Sequence, residues 1–495
     1  MAGIPFGKRL TNLAERLGDA TAVVFAAADG SEEVVSWRRL DERANQVARL
    51  LAERGIAEGD LLAVGLPNSL EHLYATFGAW KLGASALPLR ADLPAWERDR
   101  LLAVADPKLV VSRATDLPAP SLTPDEIRAS VALDGSPLPT YGVPPTTRLI
   151  ATSGSTGTPK VIVGTSPGLF VEDEAGMTNA VTGGAVGVTY LVVSPLYHNN
   201  GFMFTYPMLL AENRVVLVER FDAAQAVDLI ERHRVQHTVM VPTMLQRIAR
   251  LDGVRDRDFS SLERVIYGGA TLPDWVARTW LELVPPANFL FVYGGSEQMG
   301  GTMCTGVEWL DRPGTCGLPI NCEVQILDAD RTPMPTGDIG EVFMRLPDPA
   351  QPFRYVGTET PEPILDGFRS YGDMGYLDAD GYLYIVDRRQ DMIVSGGANI
   401  FPAEVEAALS EHTGLADAVV IGLPDPEWGH RVHAIVQPAD GAAAPSDDEL
   451  RAHCRARLAP YKVPKAFEVV EAVPRTSAGK VNRSRLVSER VEAPA

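Results

Sequence analysis

Five short apolar runs, at 189–193, 214–219, 237–241, 264–267 and 289–293, alternate with helical stretches, notably 222–234 and 273–284. Runs this short, separated by helical segments, bury both their faces in a parallel sheet covered by helices on either side. The same rhythm opens the chain, with a helix over 40–55, a strand at 61–66, a helix at 69–82 and strands at 84–89 and 108–111. Ligands of open α/β sheets collect outside the carboxyl ends of the strands. Three such ends carry small or polar residues: Ser194-Pro195-Leu196-Tyr197-His198, Gly268-Gly269-Ala270 and Tyr293-Gly294-Gly295-Ser296-Glu297. A further apolar run, Leu149-Ile150-Ala151, leads into a fourth. Four ends of this kind point at one crevice.

The fourth is Thr152-Ser153-Gly154-Ser155-Thr156-Gly157-Thr158-Pro159-Lys160, eight of whose nine residues are hydroxylated, glycine or proline. Glycines let backbone N–H groups approach a ligand, hydroxyls add donors, and Lys160 adds charge, which together suit a phosphate chain. The segment is not a G-x₄-G-K-[S/T] loop, because Pro159 precedes its lysine and no hydroxyl residue follows it. Neither Ser155 nor Ser296 has the Gly-x-Ser-x-Gly setting of a serine hydrolase.

With 495 residues the chain is too long for one core. Residues 116–146, rich in Pro, Ser and Thr, predict a surface connector. After about 310 the texture changes to short alternating strands at 323–327, 341–345 and 382–386, with a turn at Asp378-Ala379-Asp380-Gly381. A wholly polar stretch, 387–391, precedes a compact α+β unit. There Pro402 opens a helix through 410, strands lie at 418–422 and 432–436, and Ser446-Asp447-Asp448-Glu449 forms a capping box for a helix over 447–458. The net charge of −19 argues against nucleic acid as a partner. The region 451–485 is nonetheless basic, with nine Lys or Arg against Glu468 and Glu471, which suits a small anionic ligand. Four cysteines without C-x-x-C spacing read as reduced thiols, and no run is long enough to span a membrane. The chain therefore reads as cytoplasmic. No histidine pair clusters with acids or thiols as a zinc site requires.

In this order the motifs resemble those of the adenylate-forming superfamily, which includes acyl-CoA synthetases, peptide-synthetase adenylation domains and luciferases. Thr152 to Lys160 resembles its phosphate loop, Ser194 to His198 its aromatic/His motif, and Tyr293 to Glu297 its Tyr-Gly-x-Thr-Glu motif. Tyr371-Gly372-Asp373 resembles the Gly-Asp motif, and Asp387-Arg388 with Asp391 to Gly397 the hinge and the loop after it. Pro474 to Lys480 resembles the catalytic-lysine motif. The resemblance implies an α/β fold: a large N-terminal domain (1–389) of stacked, mostly parallel sheets with a small β-barrel subdomain at about 311–389, and a smaller mobile α+β C-terminal domain (390–495). It implies ATP, Mg²⁺ and coenzyme A, and two steps: a carboxylate attacks the α-phosphate to give acyl-AMP, then a thiol displaces AMP.

Roles follow from that resemblance residue by residue. Thr152, Ser153, Gly154, Ser155, Thr156, Gly157 and Lys160 would hold the phosphates, and Glu297 the metal. Gly268, Gly269 and Ala270 would lie along the purine, with Tyr293 against it, Gly294 beside it and Ser296 toward the α-phosphate. Asp373 and Arg388 would fix the ribose. Lys480 would bridge the carboxylate and α-phosphate, and His198 would gate thiol entry. Gln390 would be the hinge, bringing Gly396 and Gly397 to the pantetheine. The acyl pocket would be lined by Asn199, Gly201, Phe202, Gly294, Gly295, Met299 and Gly300, with Met203, Phe204 and Met303 nearby. Its glycines and apolar walls suggest a hydrophobic acid, bulky or polycyclic, rather than acetate.

Three residues depart from the family pattern: Val161 for glycine, Ser296 for threonine, and Tyr371 for a small hydroxyl residue. All three are expected in the ATP half of the site. An alternative is thus a ligase impaired in adenylation that mainly thioesterifies a supplied acyl-AMP. Another, of a different class, is a non-catalytic nucleotide-binding protein. No carrier domain follows Lys480, which favours a CoA ligase over a peptide-synthetase module. A monomer or homodimer is expected.

Overall fold

A computed structural model describes residues 3–152, 160–171, 181–347, 352–361, 363, 364, 366–439, 441–475 and 481–491. The phosphate-loop residues 153–159 and the segment 476–480, with Lys480, lie outside the described residues, as does the Thr152 side chain.

The first of the stacked sheets is parallel, in the order Ser85–Pro88, Leu61–Gly65, Leu109–Ser112, Ser121–Leu122. The expected connector 116–146 thus contributes a strand. It also forms the helix Pro124–Ala129, opened by a full capping box of Thr123 and Glu126 with proline in its first turn. Its Pro/Ser/Thr composition hid a start signal that was legible in Thr123-Pro124-Asp125-Glu126. From here the chain enters the hairpin of β1 (Leu149–Thr152) and β2 (Lys160–Gly164), which flank the phosphate loop.

Among the described residues the largest sheet has nine strands. Next to its middle strand lies β3 (Thr189–Val192), with β4 (Arg214–Val218) on one side and β5 (His237–Met240), β6 (Arg264–Tyr267) and β7 (Phe289–Gly294) on the other, all parallel. Neighbouring residues alternate between two cores. Tyr190, Val192, Val215 and Leu217 join helices Phe6–Leu17, Trp37–Glu53 and Leu70–Lys81. Leu191, Val216 and Val218 join Ala223–His233, α1 (Pro242–Ala249) and α2 (Asp274–Leu283). Burial on both faces explains why these strands read as unbroken apolar runs. Strand order reverses around β3, which puts a crevice at the carboxyl ends beside it.

The β-rich unit consists of two small antiparallel sheets. One has four strands, including β9 (Arg369–Leu377) and β10 (Leu383–Arg388), joined by the turn predicted at 378–381. The other is the β1–β2 hairpin extended by β8 (Phe353–Val356), whose partners lie about 190 residues earlier in the chain. Beyond it, α3 (Pro402–Ser410), β11 (Leu415–Asp425) and β12 (Gly429–Pro438) enclose cores made of residues after 390. Ser446 Oγ accepts the Glu449 N–H, as the predicted helix start requires.

Candidate active site

The β9–β10 register sets Asp373 opposite Arg388. Arg388 Nε lies 3.6 Å from Asp373 Oδ1, and the Tyr293 hydroxyl donates to Oδ2 at 2.7 Å. The three side chains expected at nucleoside positions are therefore in direct contact. Tyr293 comes from the carboxyl end of β7 and the other two from the β-rich unit. Burial raises the Asp373 carboxyl above its ordinary range, against the Tyr293 hydrogen bond and the Arg388 charge. Gly269, Ala270 and Gly294 are exposed at the ends of β6 and β7, and Gly269 adopts φ +99°, which a glycine takes without strain. Gly268 is needed for a close approach, because a Cβ there would lie 2.9 Å from the Val292 carbonyl.

The other wall holds Glu297 and Lys160. The Tyr355 hydroxyl donates to Glu297 Oε1 at 2.8 Å, and Lys160 Nζ sits 3.7 Å from the Tyr355 ring centre. Burial lowers the Lys160 pKa, while the Glu297 charge raises it. Gln298, next to Glu297, has φ +54°, and its N–H closes a turn onto Gly295 O at 3.1 Å. Glu297 Oε2 accepts no hydrogen bond among the described residues. A carboxylate oxygen that shares Tyr355 with a lysine fits Mg²⁺, which takes one or two carboxylates together with substrate phosphates.

Arg148 and Tyr371 support this wall from behind, and neither role was anticipated. Arg148, 9% exposed, donates to Ser296 O at 2.7 Å and Pro352 O at 2.9 Å. Burial pulls its pKa down to about 10, against the raising charges of Tyr371 and Glu297. The Tyr371 hydroxyl accepts the Met299 N–H at 2.8 Å and donates to Gly300 O at 3.0 Å. Its ring fills the space beside Gly295, where a Cβ would lie 2.3 Å from Tyr371 Cε1. Tyr371 thus lies beneath the Tyr293–Gly300 loop. Val161 corrects the expectation more sharply. It is 1% exposed and packs with Val163, Leu149 and Ala63, whereas Lys160 and Ile162 take the site-facing parity of β2.

His198 occupies the position before the short helix Asn199–Met203, after the β3 segment, without a side-chain capping bond, and its ring centre lies 4.4 Å from that of Tyr197. Asn68, unnoticed in the sequence, fixes this turn from within. Its amide donates to Ser194 O and Val218 O, and its oxygen accepts the Leu196 N–H at 2.7 Å.

The expected acyl pocket needs correction at four residues. Phe202 is 2% exposed and packs in the core against Trp80 and Tyr206. Gly201 leaves no open space, since its Cβ would meet Pro195 O at 2.1 Å. Gly300 is closed by Cys322, and Met299 packs with Ile150, Ile162 and Phe353 under the phosphate hairpin. Phe204 and Met303 are partly buried against Val239, Ile266 and Leu290. Asn199 Oδ1 is buried and takes no hydrogen bond among the described residues.

At the far edge, Gly396 has φ +57° and donates its N–H to Trp428 O at 2.9 Å, with the half-exposed Trp428 ring over it. Gly397 follows with φ +82°. Gln390 is exposed between two anchors. Arg389 on one side bonds Glu341 at 3.0 Å and Gly372 O, and Asp391 on the other pairs with Arg483 at 3.1 Å.

A family model described as "AMP-binding enzyme" matches residues 10–352, and one described as "AMP-binding enzyme C-terminal domain" matches 404–480. A feruloyl-CoA synthase of an Amycolatopsis species is 33% identical over 471 residues, covering 90% of this chain and 92% of the relative. A 2-succinylbenzoate–CoA ligase of Bacillus velezensis is 31% identical, covering 91% and 92%. The solved o-succinylbenzoate CoA synthetase of Bacillus subtilis, in complex with its acyl-adenylate intermediate, superposes with a TM-score of 0.81 at 26% identity and covers 98% of each chain. No helix among the described residues is long and apolar enough to cross a membrane. With both family models in sequence and relatives of this identity and coverage, the chain belongs to the AMP-binding enzymes, in the acyl-CoA ligase branch of the adenylate-forming superfamily, and is an AMP-forming acid–thiol ligase.

Proposed function

We propose that the chain activates a hydrophobic carboxylic acid, aromatic or polycyclic, through acyl-AMP and transfers the acyl group to coenzyme A. The observation that carries this reading is the pairing of Tyr293, Asp373 and Arg388 on one wall with Glu297, Tyr355 and Lys160 on the other. The first group suits a ribose, and the second suits the metal-bound phosphates of ATP. Bound Mg²⁺ would neutralise charge building on the leaving pyrophosphate. Lys160 would add a fixed positive charge there, and Lys480 is proposed to reach the α-phosphate from the C-terminal unit. The feruloyl-CoA synthase and 2-succinylbenzoate–CoA ligase relatives point to aryl acids, and the apolar Phe204 and Met303 side chains support an apolar body.

Two domains, 1–389 and 390–495, are proposed to pivot at Gln390. The anchors on Arg388 and Arg389 hold one side of that residue to the N-terminal unit, and Asp391–Arg483 holds the other side to the C-terminal unit. That leaves few dihedrals to absorb a rotation. In the proposed second orientation, Gly396 and Gly397 would line the pantetheine path. The impaired-adenylation alternative draws no support from Val161, which faces the core, nor from Tyr371, which supports the loop from below.

A panel of carboxylic acids tests the proposal, run once with ATP plus CoA and once with preformed acyl-AMP plus CoA. Turnover of cinnamate-like, succinylbenzoate-like or polycyclic acids in both arms is expected. Turnover confined to acetate and propionate would overturn the substrate class. Turnover in the second arm alone would establish the impaired-adenylation alternative.

A further inference from the structure

Glu297 and Lys160 meet the same aromatic side chain in different ways. The Tyr355 hydroxyl donates to Glu297 Oε1 at 2.8 Å, while Lys160 Nζ lies 3.7 Å from the centre of its ring. Tyr355 is held there by backbone pairing. It sits opposite Ile162 in the β8–β2 register, and its N–H is taken by Thr360 Oγ1 at 2.8 Å. The neighbouring Phe353 ring, 1% exposed, packs 5.1 Å from it. A strand from the β-rich unit therefore adds to the phosphate hairpin and delivers one hydroxyl and one π face to two groups of opposite charge.

We propose that Tyr355 is a positioning residue for the metal–triphosphate end of the ATP site. The proposal rests on the reading above that Glu297 serves Mg²⁺ and Lys160 the phosphates. A free glutamate samples many rotamers, and a donor fixed on one oxygen selects those that leave the other open. Oε2 of Glu297 is the open oxygen here, since it accepts nothing among the described residues. The ring acts separately: an ammonium over an aromatic face is attracted to it without its charge being cancelled, as a carboxylate partner would do. Lys160 thus keeps a net positive charge for an incoming phosphate while its position is restricted. The two contacts use different parts of the same residue, so they can be removed one at a time.

The test uses the full chain and two readouts: ATP binding by calorimetry across a Mg²⁺ series and in EDTA, and thioesterification of supplied acyl-AMP. Tyr355→Phe removes the hydroxyl and keeps the ring. It is expected to raise the Mg²⁺ concentration for half-maximal ATP binding about tenfold, as for loss of a hydrogen bond to a charged group. Any loss in ATP affinity in EDTA or in thioesterification should be smaller than this Mg²⁺-dependent shift. Tyr355→Leu also removes the ring and is expected to weaken ATP binding in EDTA by about threefold or more. Glu297→Gln separates the two layers of the argument. If Glu297→Gln shifts the Mg²⁺ requirement and Tyr355→Phe does not, the positioning role is wrong. If Glu297→Gln itself leaves the Mg²⁺ requirement unchanged, the metal-ligand reading fails and the proposal falls with it. Equal losses for Tyr355→Phe in Mg²⁺, in EDTA and in thioesterification would reduce Tyr355 to general packing and overturn the proposal.

Discussion

Replacing Gly295 by alanine tests how Tyr371 is accommodated. The added Cβ would lie 2.3 Å from Tyr371 Cε1, 2.6 Å from Cδ1 and 3.0 Å from Cζ. Carbon atoms settle at about 3.5–4.0 Å, so ring and loop must separate by roughly 1 Å. The ring is not free to move, because its hydroxyl is bonded to Met299 N and Gly300 O. Overpacking costs about 1–3 kcal/mol, and two strained hydrogen bonds add about 1 kcal/mol each, giving a loss of about 3–5 kcal/mol. Tyr371→Thr alone should also destabilise, by opening a cavity beneath the loop. The double variant Gly295→Ala/Tyr371→Thr restores the small family-type residue at 371 and gives the new methyl room. It should therefore fall short of the sum by about 1–3 kcal/mol. Urea midpoints of the four proteins measure the cycle, and pyrophosphate exchange reports whether the loop still handles ATP. A neutral Gly295→Ala, or strictly additive single changes, would refute the view that Tyr371 occupies the Gly295 space.

Lys81 is fully buried, with Nζ 2.6 Å from Asp41 Oδ1 and 2.7 Å from Thr11 Oγ1, and it ties together three amino-terminal helices. Lys81→Met strands the buried Asp41 and should cost about 3–5 kcal/mol, part of which Lys81→Met/Asp41→Asn should recover, as read from urea midpoints. Arg250 donates to Ala416 O at 2.7 Å and Ser410 O at 3.3 Å, across to the carboxy-terminal unit. Arg250→Ala should alter the two half-reactions unequally, and equal changes in pyrophosphate exchange and thioesterification would count against an orientation-specific contact. Asp387 is 8% exposed, and burial pushes its carboxyl up to about 6 despite accepting the N–H groups of Ala403 and Arg388. Between pH ~4 and 6 the native state then holds a proton that the unfolded state releases, so stability falls as pH rises through this window. The accumulated penalty is about 3 kcal/mol, constant above that range. Asp387→Asn should flatten this limb in urea midpoints taken from pH 4.5 to 7.5, and parallel limbs would exclude Asp387 as its source.

The parallel strands were legible because burial on both faces leaves an unbroken apolar run, and Thr189 to Val192 cannot be read as anything amphipathic. Their polar ends were legible because a glycine pair or a Tyr-Gly-Gly-Ser-Glu string has no use in a core. Tyr355 was invisible for a different reason. Its significance comes from pairing with Ile162, far away in sequence, and a register between distant strands leaves no local periodicity. Phe202 follows the His motif directly in sequence, yet its ring packs into the core against Trp80 and Tyr206. Position next to a motif does not fix the direction of a side chain.

Strand parity settles a point that composition left open. If Lys160 must face a phosphate, Val161 must face the other way, and a branched residue there adds to a core instead of crowding a ligand. The large residue at 371 follows similar logic across a loop. Tyr371 is compatible with the site because position 295 is glycine and because Met299 N and Gly300 O satisfy its hydroxyl. Arg148 adds a third support by holding Ser296 O, so the backbone carrying the smaller hydroxyl residue at 296 is fixed from below. The departures at 161 and 371 therefore belong to the packing beneath the hairpin and the loop.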